Sequence, residues 1–138
     1  YGSNYLWINR GDGTFEDGSD AFGVTDRGNG MGAAFGDLNG DGALDLYVSN
    51  MASTAGNRNL GRLEEDIDPE IHALLKKLAA GNSIFFRGAE GFERVPAENG
   101  GIGASWAWSP ALFDLDLDGD LDVFCANGFV TGELPFDT

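Results

Sequence analysis

Short apolar and aromatic runs, separated by glycine-rich polar segments, make up most of this chain. Each run has the length of a strand, is rich in β-branched or aromatic residues and is bounded by turn residues. The predicted strands are 4–9, 14–16, 31–35, 44–49, 82–86, 92–95, an inner strand within 101–113, and 122–126. Two pairs of these strands are separated only by short Gly-containing turns, which predicts two hairpins. The pattern therefore predicts an all-β fold.

One segment has a different period and predicts a helix. Its apolar positions recur at helical spacing: Ile71, Leu74, Leu75 and Leu78. Asp68 is a good N-cap, Pro69 suits the first helical position, and Gly81 ends the segment. We expect this helix to pack its apolar stripe on the sheet as a lid. His72, off that stripe, is predicted to be a solvated surface residue.

A nine-residue run between two predicted strands carries the densest charge. Its carboxylates stand at positions 1, 3, 5 and 9: Asp114, Asp116, Asp118 and Asp122. Two like charges about 4 Å apart repel by roughly 4 kcal/mol at an effective dielectric near 20. Gly119 at position 6 permits a sharp turn, so these side chains can converge on one cation. We predict that all four are ligands, with the backbone carbonyl of Asp120 as a fifth.

The same arrangement occurs earlier in the chain, at 37–45. Oxygen-bearing side chains again stand at positions 1, 3, 5 and 9: Asp37, Asn39, Asp41 and Asp45. Gly42 is at position 6, and Ala43 offers its backbone carbonyl as Asp120 does. Two copies of this spacing argue against chance, and the oxygen ligands favour Ca²⁺, a hard cation that tolerates irregular geometry. We predict two calcium sites.

Other loop types fit less well. An EF-hand requires a bidentate Glu at position 12 and flanking helices, whereas position 12 is Val48 in one loop and Cys125 in the other. Dockerin-like and thrombospondin-type loops also use an acid there. Solvated acidic turns without metal are the remaining alternative, but such turns have no need of this spacing. Each loop is therefore interpreted as a strand-to-strand connection that closes at position 9.

Composition narrows the class of protein. The chain has 138 residues, 22 Gly but only 4 Pro, and a net charge of −15. The glycines suit an all-β fold with many tight turns, and the charge makes nucleic acid a poor partner. No apolar run reaches the roughly 20 residues of a membrane span. The single cysteine, Cys125, is predicted to be a small buried residue of a core strand. Calcium loops of modest affinity point to a secreted, periplasmic or cell-surface location.

The chain repeats itself with an offset of 77 residues. Asp37 aligns with Asp114, Asp45 with Asp122, and Phe15 with Phe92. Each repeat holds an inner strand, an acidic loop, a second strand and an outer hairpin, which together form one β-propeller blade. We predict a single partial propeller of about two blades. Its parts are an outer hairpin (1–20), a complete blade (29–97, with a helical insertion at 62–81) and the inner half of the next blade (101–130).

The segment from Phe35 to Leu46 resembles the FG-GAP/VCBS repeat of integrin-α-type β-propellers, and the hairpin from Asn4 to Phe15 is similar to hairpins of the same group. Ser49-Asn50, the segment 55–58 and Trp106-Ala-Trp108 resemble the cartilage-acidic-protein/UnbV-like branch. The resemblance covers nearly the whole chain. It implies a calcium-stabilised propeller that is commonly secreted or surface-exposed, and it implies no agreed activity. Closed propellers of this family have more blades than this chain supplies.

These observations predict a non-enzymatic module for protein or glycan interaction or structural scaffolding. The partner covers the open blade edges, either as a larger complex or as further copies joined head to tail. One alternative is an accessory subunit of a larger surface or membrane complex. Another is part of a secreted enzyme, although His72 stands alone and the carboxylates are committed to metal. Trp106 and Trp108 are expected in the core. Arg10-Gly11-Asp12 spells the integrin-recognition tripeptide, and we interpret it as hairpin-turn residues.

Overall fold

The fold of the chain was obtained as a computed structural model, which describes residues 2–51, 67–96, 99, 103 and 105–128. It consists mostly of β-strands in several antiparallel sheets, with one short helix. The predicted all-β, partial propeller-like fold is confirmed. Parts of the segments predicted as a helical insertion (62–81) and the last half-blade (101–130) lie outside the described residues, as does the segment 55–58.

The described elements follow one another along the chain as short strands with one helix between them. In chain order they are β1 (Gly2–Ser3), β2 (Trp7–Asn9), β3 (Phe15–Asp17), β4 (Arg27–Gly28), β5 (Gly30–Gly36), β6 (Asp45–Asn50), α1 (Pro69–Leu78), β7 (Ser83–Arg87), β8 (Phe92–Arg94), β9 (Ala107–Phe113) and β10 (Asp122–Asn127). The strand prediction missed the short pair β1–β4, because both strands lie in polar, glycine-rich sequence without a hydrophobic pattern.

Four of these strands form a complete antiparallel sheet in the order β5-β6-β7-β8, here called the central blade. Its innermost pair closes around the first acidic loop, with Gly36 opposite Asp45. On the other edge of β6, Leu46 pairs with Phe85 and Val48 with Ser83. This is the four-stranded sheet of one propeller blade.

Two further strand pairs flank the central blade. The hairpin β2–β3 pairs Trp7 with Asp17 and Asn9 with Phe15. The pair β9–β10 closes around the second acidic loop, with Phe113 opposite Asp122.

The small residues of β5 lie where β9 packs against it. A Cβ on Gly32 would stand 2.9 Å from the carbonyl oxygen of Trp108, and a Cβ on Gly36 would stand 2.8 Å from Leu112 Cδ1. Because real Cβ atoms do not come so close, a larger residue at Gly32 would push the two backbones apart, and one at Gly36 would displace the side chains of Leu112 and Leu121. The small residues of β5 therefore mark a place where two strands lie close together.

The hydrophobic core is small and lies on one face of the central blade. Its buried members are Val24, Leu46, Val48 and Phe85, with Leu6 and Phe92 packed against them. Leu6 belongs to the segment leading into β2, so the core joins the first hairpin to the central blade. Burial of apolar area at roughly 25 cal/mol per Å² is what holds these two units together.

The helix begins at the predicted residues, but the side of it that is buried is not the predicted one. Asp68 caps α1 by accepting from the amides of Glu70 and Ile71, with Pro69 in the first turn. Yet Ile71 is 53% exposed, whereas His72 is only 7% exposed. The prediction of a solvated His72 and a lid packed through the apolar stripe is therefore wrong. The helix contacts β4 of the two-stranded sheet β1–β4, and His72 is its buried residue.

Two other burial predictions are also wrong. Trp108 is 43% exposed, and its indole N–H donates to the carbonyl of Gly128. Trp106 is half-buried and forms an isolated bridge with Met51. Cys125 is half-buried, and its thiol lies 3.9 Å from the Tyr47 hydroxyl, so its neighbourhood is partly polar.

Candidate metal centre

The two acidic loops occupy equivalent positions in the fold. Residues 37–45 connect β5 to β6, and residues 114–122 connect β9 to β10. Each loop therefore joins the two inner strands of a blade at the same end. The strands fix the ends of both loops, so the backbone between them has a defined start and finish.

The carboxylate at position 1 organises the backbone of each loop. In the first loop, Asp37 Oδ1 accepts from the amides of Gly40 and Asp41 at 2.8 and 3.1 Å, and its Oδ2 accepts from Gly42 at 2.8 Å. These bonds wrap the backbone around one side chain. They also satisfy amides that a tight turn leaves without strand partners.

The second loop repeats this scheme 77 residues later. Asp114 Oδ1 accepts from the Asp118 amide at 3.1 Å, and its Oδ2 accepts from the Gly119 amide at 3.0 Å. At position 5, Asp118 Oδ1 accepts from Asp120, as Asp41 Oδ1 accepts from Ala43. The sequence repeat is therefore also a repeat of hydrogen bonding.

The carboxylate at position 9 closes each loop. Asp45 Oδ2 accepts from Leu38, and Asp122 Oδ2 accepts from Leu115, both at 2.9 Å. Asp45 has a further bond, because its Oδ1 accepts from the amide of Arg87 at 2.7 Å. Asp45 is fully buried, whereas Asp122 is exposed. The two loops thus differ mainly in what covers position 9.

Three carboxylates of the second loop converge. Ligand oxygens of Asp114, Asp116 and Asp122 all lie within 4.8 Å of one another, a spacing that one cation can bridge. Asp118 lies outside this group. These are oxygen donors alone, which is the donor set of a hard divalent cation such as Ca²⁺. The residues present therefore fit the predicted metal.

The first loop holds the equivalent positions with one change of chemistry. Asn39 stands where the second loop has Asp116, and its amide nitrogen donates to Asp41 Oδ2 at 3.0 Å. An amide oxygen is also a calcium ligand but brings no charge. The first loop has one negative charge fewer at positions 1, 3, 5 and 9. Its side chains therefore repel one another less than those of the second loop. The assignment of Ala43 and Asp120 as carbonyl ligands stays a prediction.

Positive backbone φ angles at two points give both loops their shape. Position 6 is Gly42 with φ +84° and Gly119 with φ +98°, as predicted from the sequence. Position 4 is Gly40 with φ +73° in the first loop, but Leu117 with φ +63° in the second. The left-handed conformation costs a non-glycine residue roughly 1–2 kcal/mol. The second loop therefore holds strain that the first loop avoids.

Comparison with known families finds a match at the start of the chain. Residues 1–48 match the family model of the FG-GAP-like repeat. The matched FG-GAP-like repeat runs from the first hairpin through β5 and the entire first acidic loop into β6. No curated protein and no solved structure matches the chain. Among the described residues, no helix is both long enough and apolar enough to cross a membrane.

The FG-GAP-like repeat also contains the Arg10-Gly11-Asp12 turn. Arg10 pairs with Glu16 across the hairpin, and Asp12 Oδ1 accepts from the amide of Thr14 at 2.9 Å. The bond from the Thr14 hydroxyl, together with that amide bond, lowers the pKa of Asp12. Both charged ends of the tripeptide are engaged within the hairpin, as expected for turn residues.

A buried polar network next to the FG-GAP-like repeat was missed by sequence reasoning. Asn82 is fully buried; its Oδ1 accepts from the Asn50 amide, and its Nδ2 donates to the Tyr47 hydroxyl, both at 2.8 Å. Burial raises the pKa of Tyr47, and the neighbouring Cys125 thiol raises it further. The only sequence signal was the repeated asparagine that precedes each outer hairpin, Asn4 and Asn82.

A second polar cluster joins the FG-GAP-like repeat to β7 and β8. The Ser83 hydroxyl donates to Asp26 Oδ2, and the guanidinium of Arg94 lies 3.6 Å from the same oxygen. Arg94 also donates to the Ser83 hydroxyl at 3.2 Å. These bonds fix the segment before β4 against the central blade, so they support the fold rather than a reactive site.

Proposed function

We propose that this chain is a non-enzymatic, calcium-stabilised β-propeller module that serves in protein or glycan interaction or as a scaffold outside the cytoplasm. The observation that supports this most directly is the convergence of Asp114, Asp116 and Asp122 in a loop whose hydrogen bonding is repeated 77 residues earlier. The FG-GAP-like repeat at residues 1–48 is consistent with an interaction module. We further assign the chain to the cartilage-acidic-protein/UnbV-like branch of integrin-like propellers.

In this proposal each loop holds one Ca²⁺. The side chains would be Asp37, Asn39, Asp41 and Asp45 in the first loop, and Asp114, Asp116, Asp118 and Asp122 in the second. The ion supplies positive charge that offsets the mutual repulsion of the carboxylates. Position 1 bonds to backbone amides with both oxygens, so the side chain is already oriented toward the inside of the loop. Such preorganisation lowers the cost of ordering the ligands when the ion binds.

The role of the metal is structural in this account. Asp45 joins the first loop to the central blade through Leu38 and Arg87, so an ion at the loop would act on the fold directly. Asp37, Asp41 and Asp45 of the first loop and Asp114, Asp118 and Asp122 of the second all accept from backbone amides, an arrangement that favours a fixed connection over general acid and base chemistry. An Asp118→Ala variant is therefore expected to lose calcium-dependent stability.

Isothermal titration calorimetry with Ca²⁺ tests the proposal on the intact chain. We expect two bound ions for the unmodified chain, and one for each of Asp37→Asn and Asp114→Asn. Asp20→Asn is the matched control, because Asp20 is an exposed aspartate outside both loops. It removes the same charge and should retain two ions. Absence of binding at millimolar Ca²⁺, or an unchanged stoichiometry in both loop variants, would overturn the proposal.

A further inference from the structure

The two incomplete strand pairs lie on opposite faces of the central blade. On one face, Leu6 next to β2 packs against the core cluster to which Leu46 and Val48 belong. On the other face, the hydroxyl of Ser49 donates to the carbonyl of Trp108 in β9 at 3.2 Å. Alternate residues of a strand point to opposite faces, so even-numbered and odd-numbered residues of β6 contact different partners. The hairpin β2–β3 and the pair β9–β10 therefore cannot complete one another within a single chain.

Each incomplete pair reproduces one half of the central blade. The hairpin β2–β3 pairs Asn9 with Phe15, and the outer strands β7–β8 pair Arg87 with Phe92 in the same register. These residues are offset by 78 and 77 positions. Among the described residues, the hairpin is thus a set of outer strands without inner strands.

The pair β9–β10 is the converse. It places Phe113 opposite Asp122, as β5–β6 places Gly36 opposite Asp45. In the central blade, β7 pairs with the second edge of β6. Within the described part of the chain, no strand pairs with the corresponding edge of β10. The pair is thus a set of inner strands without outer strands.

We propose that the hairpin β2–β3 of a second copy pairs with the open edge of β10 and completes a second four-stranded blade. The central blade sets the register, because Val48 pairs with Ser83. Shifting these by 77 and 78 positions places Cys125 opposite Tyr5 of the second copy. This is strand addition at a sheet edge, the general mode by which extended segments bind open sheets.

The exposed faces agree with this arrangement. Tyr5 and Trp7 are 70% and 58% exposed and stack with ring centroids 6.2 Å apart, on the face opposite to the one from which Leu6 enters the core. On β10, Cys125 faces Tyr47 of the central blade, whereas Phe124 on the other face is 58% exposed. Both exposed aromatic surfaces are the ones that a second copy would cover.

The central blade itself offers a place for the partner's inner strands. A groove of about 320 Å³ runs along the face of β5 that β9 does not contact. Its lining includes Leu6 and Tyr5 from the hairpin and Met31 and Phe35 from β5. Met31 and Phe35 are 37% and 51% exposed. When the hairpin pairs with another copy's β10, this groove is the surface that meets the exposed face of that copy's β9–β10.

The partner also completes the second acidic loop. In the first loop, Asp45 accepts from the amide of Arg87 as well as from Leu38. The residue that corresponds to Arg87 is Asn9, so the Asn9 amide of the second copy would reach Asp122 in the same way. Asp122 would then become buried, as Asp45 already is. The pairing itself rests on strand register and apolar faces, so it does not depend on the calcium proposal.

Head-to-tail pairing of identical chains closes a ring or continues as a filament. Phe113 stands where the internal interface has Gly36, so the interface between copies must be wider at that end.

Cysteine cross-linking tests the register with the thiol that the chain already has. In a Tyr5→Cys variant, the introduced thiol of one copy should form a disulfide with Cys125 of the next under mild oxidation, giving covalent oligomers on non-reducing gels. Directly opposed residues have Cβ atoms about 4.5–5.5 Å apart, close to what a disulfide needs. Trp7→Cys is the matched control, because it replaces the neighbouring exposed aromatic but lies one pair out of register, at about 7–8 Å.

Light scattering of the unmodified chain gives the assembly state independently. We expect a mass of more than one chain, dissociation to monomers in Phe124→Lys, and no dissociation in Ile71→Lys, which charges a similarly exposed site on α1. Circular dichroism checks that both variants are folded. A monomer at all concentrations, equal cross-linking by Tyr5→Cys and Trp7→Cys, or an assembly that survives Phe124→Lys would overturn the proposal.

Discussion

The amide of Arg87 donates to Oδ1 of Asp45 at 2.7 Å, and this bond joins the first acidic loop to the third strand of the central blade. Asp45 is fully buried and also accepts from Leu38. One carboxylate thus holds the end of the loop, the start of β6 and the end of β7 together. Its counterpart, Asp122, is exposed and holds the loop alone.

The difference between these two aspartates predicts unequal effects of the same substitution. Asp45→Ala removes the acceptor for two amides and is expected to lower the free energy of unfolding by about 2–4 kcal/mol. Asp122→Ala should cost clearly less, because water can replace its bond. Urea unfolding in the presence of a calcium chelator measures both, so that metal binding does not contribute. Equal losses would contradict the structural role given to the Arg87 bond.

Position 4 of the two loops offers a test of backbone strain. Leu117 has φ +63° and is 86% exposed, so its side chain gains little from packing. Leu117→Gly should raise the free energy of unfolding by roughly 0.5–1 kcal/mol, because relief of the left-handed strain exceeds the entropic cost of glycine.

Gly40→Ala is the matched change in the first loop, where φ is +73° and nothing crowds an added Cβ. It should lower the free energy of unfolding by about 1 kcal/mol. Denaturant titration of both variants checks the pair. Destabilisation by Leu117→Gly would show that the leucine makes a contribution that its exposure does not reveal.

Because Tyr47 is buried, we expect the free energy of unfolding to fall at alkaline pH. The tyrosine is 2% exposed, and burial, followed by the Cys125 thiol, raises its pKa in the folded chain. The neutral phenol is therefore favoured by folding. Its contribution is complete below the unfolded pKa of about 10 and is lost as pH rises above that value, by about 1.4 kcal/mol per pH unit.

Tyr47→Phe separates this effect from other alkaline titrations. The variant loses the bond from Asn82, so it should be less stable at neutral pH. Above about pH 10 its free energy of unfolding should fall less steeply than that of the unmodified chain. Urea unfolding across this pH range measures both slopes. Identical slopes would mean that Tyr47 does not titrate during unfolding.

Much of the fold follows from local sequence. Asp68 caps the helix as its position before Pro69 predicts, and Gly42 and Gly119 adopt the positive φ angles that both loops require. The 77-residue repeat also predicts correctly that β5–β6 and β9–β10 are equivalent pairs. These features depend on residues close in sequence or on internal symmetry, so a single chain is enough to find them.

The failures share a different cause. His72 is buried and Trp108 is exposed because of what lies beside them in space, and hydrophobic periodicity does not report this. The bonds of Asp45 to Arg87 and of Asn82 to Tyr47 join residues that are 42 and 35 positions apart. Apart from the repeated asparagines Asn4 and Asn82, buried polar pairs of this kind leave no pattern in one sequence, and so they were not predicted.

Thermal unfolding with and without calcium tests the central claim most directly. An ion bound only by the folded chain stabilises it by about 2.7 kcal/mol at a hundredfold excess over the dissociation constant. Two loops of this kind should therefore raise the melting temperature in millimolar Ca²⁺ by roughly ten degrees or more relative to EDTA. Mg²⁺, which demands stricter octahedral geometry, should raise it less. Superimposable unfolding curves in Ca²⁺ and EDTA would contradict the account.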